Sequence, residues 1–232
     1  MSHDDNYKPI IYLTIVLLLF YCSSLFSLIP IYIFNINVET CDILTLNFLR
    51  LFPNLMVSLI LFFMYRKDLK RDFSDLIKNF GKITDTAFKY WFAGFLCMMF
   101  SNIIIGLFSP IKIATNEESV RGLILDTPVI AFFFISICAP FMEEVIFRKT
   151  FKDSIKNKWL YVIVSGLVFG ALHIIGNINS LYDLLYLIPY SSLGFAFALT
   201  YYKTNNIFSS ISMHFLHNTL IFILYIIEFG VI

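Results

Sequence analysis

Glu143-Glu144-Val145-Ile146-Phe147-Arg148 closes an otherwise apolar run that begins at Pro128. Two adjacent carboxylates and an arginine therefore sit where a membrane helix is expected. Each such group costs roughly 2.5–3.5 kcal/mol at membrane depth by insertion scales, and more by simulation. A chain tolerates that only where the groups pair with one another or face a polar cavity. Glu144 and Arg148 are four residues apart, share a helix face and can pair. Glu143 lies about 100° around the helix from Glu144 and is left without a local partner.

The rest of the chain fits a membrane setting. Of 232 residues, 59% are hydrophobic and 14% charged, against about 25% charged in a soluble domain. Mean hydropathy is +0.79. The expected fold is all-α: a polytopic membrane protein of about seven transmembrane helices, forming one integral membrane domain over 1–232. A net charge of +1 argues against a nucleic-acid partner and leaves the lipid bilayer as the evident one. Cys22, Cys41, Cys97 and Cys138 form no CxxC pair and read as buried, reduced thiols. The polar start, Met1 to Lys8, runs into an apolar stretch without a small-residue cleavage site, so the first segment reads as a retained helix.

A span needs about 20 apolar residues. Candidates are 9–34, 43–65, 90–109, 128–148, 159–175, 183–202 and 207–229. The longest connection, Arg66 to Lys89, carries Phe73, Leu76, Ile77 and Phe80 at helical spacing among charges and predicts an interfacial helix. With the N-terminus inside, Lys8, seven basic residues in 66–89, five in 148–158 and Lys203 lie on the inner side. Only Lys112 and Arg121 lie outside, and Arg50 falls within a helix. The bias of Lys and Arg toward the cytoplasm favours this orientation over its reverse.

Three of the four histidines, His173, His214 and His217, also lie in apolar segments. His214 and Asn218 are four apart and share a face. If the fourth helix stopped at Arg148, Glu143 would lie too close to the inner surface to meet His173. If that helix continues to about 152–156, Glu143 reaches the cytoplasmic half or centre of the membrane, where all these groups can converge.

Glu143-Glu144-x-x-x-Arg148, Phe169-x-x-x-His173 and His214-x-x-x-Asn218, in that order and each in an apolar segment, resemble the signature of the CAAX protease and bacteriocin-processing family. That family of intramembrane proteases includes the Rce1 prenyl-protein endopeptidases and bacterial Abi proteins. The resemblance spans about 128–222. It implies a glutamate-dependent endopeptidase with no metal and no cofactor. Glu143 and His173 would activate water, and His214 and Asn218 would stabilise the oxyanion. Glu144 and Arg148 would structure the site, with Phe169 beside them. The implied location is the cell membrane, and the implied partner is a peptide or protein substrate held there. A bacterial peptide, such as a bacteriocin leader or signalling-peptide precursor, fits better than a prenylated protein, and bacteriocin self-immunity is a family-level role.

Simpler roles exist for the same residues. Glu144–Arg148 can be a purely structural pair, and Phe169 can be packing. Gly166 and Gly170 form a GxxxG that typically marks a close helix contact, here one that could bring His173 toward the fourth helix. Pro140 can kink its helix and free a carbonyl. His217 flanks the His214 face without a place in the signature, and Asp183 reads as a helix cap. Competing functions are a zinc protease built on two His and a Glu, though no HExxH is present, a non-catalytic scaffold or immunity factor, and a transporter using Glu and His as a proton relay.

Overall fold

The computed structural model describes residues 8–110, 113–176 and 178–230, and every regular element among them is helical. The polar segment Met1–Tyr7 and Lys112 lie outside the described residues. The helices are α1 (Lys8–Tyr21), α2 (Leu28–Phe34), α3 (Ile43–Lys78), α4 (Phe80–Phe108), α5 (Thr115–Asp126), α6 (Pro128–Ser154), α7 (Lys158–Ile174), α8 (Leu187–Thr204, entered through a 3-10 turn, Leu181–Tyr186) and α9 (Ile207–Phe229). Five spans, at α3, α4, α6, Leu181–Thr204 and α9, are long and apolar enough to cross a membrane. The first segment is a sixth only if the bent pair Lys8–Tyr21 and Ser23–Phe34 is one span, and α7, with 17 residues, is shorter. The chain is a multi-pass membrane protein.

Three expectations need correction. The first segment bends by 53° at a serine-containing 3-10 turn, Ser23–Ser27. Pro30 lies just beyond and cannot donate to the preceding turn. The charged stretch 66–89 is no separate interfacial helix. α3 runs unbroken for 36 residues, about 54 Å at ~1.5 Å per residue, and α4 starts again after Asn79 alone. Charge ends an apolar run, but Lys, Arg, Leu and Asp all continue a helix into water. The thiols are free, as expected, but only Cys138 is buried; Cys22 and Cys97 lie on the bundle surface.

Lipid is as apolar as a leucine side chain, so close packing and polar pairing hold such a bundle together. α6 is its centre. Met142, Val145, Ile146, Phe147 and Phe151 pack in one cluster with Leu61 of α3, Tyr161 and Phe169 of α7, and Tyr201 of α8. α7 and α8 meet backbone to backbone. A Cβ on Gly194 would lie 2.7 Å from the Gly166 carbonyl oxygen, and one on Gly170 would lie 2.9 Å from the Ser191 nitrogen. The GxxxG of α7 thus serves α8, not α6.

The far end of α3 holds the start of α9. Asp72, buried, accepts from the Ile207 amide at 3.0 Å. Asn206 caps α9 through Phe208 N–H and donates to the Asp72 carbonyl at 2.6 Å. The cap of the 3-10 turn is Ser180, and Asp183, expected as the cap, instead completes a capping box by accepting from the Ser180 amide at 2.7 Å.

Candidate active site

α6 departs from α geometry twice, in π-helical turns at Phe133–Cys138 and Val145–Thr150. Pro140 explains part of the first. In a π turn the Ile135 carbonyl would take the amide of residue 140, and proline has none. Asn218 of α9 fills that place, its Nδ2 donating to the Ile135 oxygen at 2.8 Å. The Asn218 amide keeps a second N–H for other use. α6 also continues helically to Ser154, the longer of the two geometries that the sequence allows, so Glu143 is set well inside the bundle.

Glu144 and Arg148 are both 0% exposed, with Arg148 Nε 3.1 Å from Glu144 Oε2. Arg148 Nη1 donates to Ser165 Oγ at 2.9 Å, and Ser165 Oγ donates to the Phe147 carbonyl at 2.7 Å. The guanidinium lies over the Phe169 ring, 4.7 Å from its centroid, a favourable cation–π placement. Glu144 Oε1 holds His214 Nδ1 at 3.0 Å, and the His214 ring stacks on Phe197 at 4.7 Å. A carboxylate acceptor there fixes the N–H on Nδ1 of a neutral His214 and leaves Nε2 pointing away from Glu144.

Glu143 faces the other way. Its side chain is 17% exposed, and Oε2 lies 4.0 Å from His173 Nε2 and 3.9 Å from His214 Nε2. Oε2 has no hydrogen-bond partner among the described residues. His173 Nδ1 is 2.8 Å from the Phe169 carbonyl oxygen, so it donates there, and the ring stacks on Tyr190 at 4.8 Å. Both imidazoles thus turn Nε2 toward Glu143. A gap of 4 Å is too long for a direct hydrogen bond and suits one water bonded at ~2.8 Å to each side.

Glu143, His173 and His214 line a cavity of about 510 Å³, together with Asn218, His217, Tyr190 and Tyr225. His217 is buried beside Phe95, and its Nδ1 has no hydrogen-bond partner among the described residues. Among the described residues, no group of three or more His, Cys, Asp or Glu is arranged to hold a metal ion. Ser165, Tyr190 and Phe197 were not legible as site residues. A serine or aromatic residue in an apolar helix carries no signal until its neighbours are known.

Residues 125–220 match the family described as Type II CAAX prenyl endopeptidase Rce1-like. The matched stretch is 96 of the 232 residues. The matched segment holds Glu143, Glu144, Arg148, Phe169, His173, His214 and Asn218. A Bacillus subtilis (strain 168) protein named "Putative membrane peptidase YdiL" is 29% identical over 140 residues, 57% of this chain and 54% of that one. An "Uncharacterized protein" of Mycoplasma capricolum subsp. capricolum is 33% identical over 97 residues, 41% of this chain and 25% of that one. The matches thus span about half, and a quarter, of these relatives' lengths. No solved structure gives a significant match.

Proposed function

We propose that this protein is an intramembrane endopeptidase in which Glu143 and His173 activate water without a metal. The reading is carried by one observation: a carboxylate oxygen on a cavity wall, without a hydrogen-bond partner among the described residues, nearly equidistant from two imidazole nitrogens. The family match and the name of the Bacillus relative support a peptidase.

In this mechanism a water donates to Glu143 Oε2 and to His173 Nε2. Glu143 removes its proton as the oxygen attacks the scissile carbonyl carbon. The carbonyl π pair moves to oxygen. Asn218 offers its second N–H to that oxyanion. His214 offers Nε2–H only as an imidazolium, because its Nδ1–H is committed to Glu144. Glu144 is placed to stabilise that cation. Collapse of the tetrahedral intermediate breaks the C–N bond, and the proton on Glu143 passes to the leaving amine. Glu144, Arg148 and Phe169 hold the geometry and do not touch substrate.

The substrate class that fits is a bacterial peptide or membrane-associated protein, such as a bacteriocin leader or signalling-peptide precursor. The test is cleavage of a mixed fluorogenic peptide library by detergent-purified protein, compared with Glu143→Gln. Turnover that survives Glu143→Gln removes the proposal.

A further inference from the structure

The cavity belongs to one end of the bundle. On α9 it is lined from His214 to Tyr225, about 10 to 27 Å from the helix start at Ile207. On α6 it takes Phe134 to Glu143, all in the first 16 residues of that helix. α8 gives Leu193 and residues before it, and α7 gives only His173, one residue from its end. α5 lies across this end. It is tied to α8 by Asn116 and Tyr190 at 3.4 Å, and to α9 by Tyr225 donating to Glu117.

Beyond Glu143, toward the other end, α6 is closed. Val145, Ile146, Phe147, Arg148 and Thr150 are at most 2% exposed. Among the described residues, the cavity takes no part of α6 beyond Glu143.

Charge separates the two ends. The closed end holds Arg66, Lys67, Lys70, Lys152, Lys156 and Lys203, among others. The open end holds Glu39, Asp42, Glu117, Glu118, Asp126 and Glu228, with Arg50 and Arg121 as its described basic residues. Basic ends of membrane helices stay in the cytoplasm.

We infer that the cavity opens to the extracytoplasmic side, and that its substrate is a peptide segment already carried across the membrane. The substrate part rests on the peptidase reading; the access part does not.

Accessibility of single cysteines tests this in whole membranes. All four native cysteines are replaced by serine, or three of them if Cys138, which is buried, is needed for normal membrane levels. Leu51→Cys and Ile221→Cys report the cavity wall, Asn116→Cys its rim, and Lys67→Cys and Lys156→Cys the basic end. A membrane-impermeant methanethiosulfonate reagent is applied to intact cells and to inside-out vesicles. Wall and rim positions are expected to react in intact cells and to lose that reaction in sealed inside-out vesicles, with the reverse at 67 and 156. Wall cysteines that react only in inside-out vesicles overturn the proposal. So do wall cysteines that react on neither side yet react after denaturation. Labelling needs no turnover, so an inactive protein still gives an answer, and a correct topology does not rescue the peptidase reading.

Discussion

The two faces of α6 treat the same side chain in opposite ways. On one face Glu144 is sealed in and engaged by Arg148 and His214. On the other, Glu143 reaches a cavity, where its Oε2 has no hydrogen-bond partner among the described residues and lies about 4 Å from two imidazoles. One residue of sequence, about 100° of rotation, separates a fully buried carboxylate paired with Arg148 and His214 from one that lines a cavity. Sequence position alone cannot distinguish them. Only the spacing to Arg148 does.

The sharpest way to break this contrast is to neutralise each carboxylate in turn. Glu143→Gln keeps shape and removes the base, so turnover should fall by at least ~10²–10⁴-fold, while melting temperature and membrane level stay unchanged. A fall in both would make Glu143 structural and erase the distinction. Glu144→Ala should do the converse and show itself first in stability. It strands a buried guanidinium, a loss of about 3–5 kcal/mol, read as a lower melting temperature in detergent. Replacing Glu144 and Arg148 together by leucine and methionine should recover part of that stability without activity.

Smaller effects sharpen the picture on α9. His214→Ala and Asn218→Ala should each lower kcat by ~10²–10³-fold with little change in KM. The double variant should be less than additive. Asn218 also satisfies the Ile135 carbonyl, so Asn218→Ala should lower the melting temperature by the equivalent of ~1–3 kcal/mol. His217→Ala should change kcat least of the three. If it matches His214→Ala while Asn218→Ala is silent, the roles on α9 belong to the other histidine. At the bottom of the scale, tight chelators should leave turnover unchanged. Inhibition reversed only by zinc would replace the water-activating carboxylate with a metal.

The existence of the apolar helices was legible because each is written in side chains that water rejects. Where they stop was not. Hydropathy reports the solvent, and α3 passes from lipid to water without changing its backbone. α5 escaped notice because Glu117, Glu118 and Arg121 give it no apolar run. The pairing of Glu144 with Arg148 was legible because both residues lie on one helix. The partner of Gly166 and Gly170 was not, because a small residue permits an approach without naming the neighbour. For the same reason the stacking of His214 on Phe197 and of His173 on Tyr190 appears only in three dimensions.

The π turn at Phe133–Cys138 acts as a phase shifter. It holds one residue more than an α turn would, so the helix on its N-terminal side and the helix on its C-terminal side are out of step by about one residue. Deleting a single residue there would restore an ordinary helix without removing any polar group. It would also turn the Ile135 carbonyl and the Glu143 carboxylate relative to each other, and Asn218 could no longer serve one while standing near the other. A lineage could therefore lose this site by deleting one codon while every signature residue remained in the sequence.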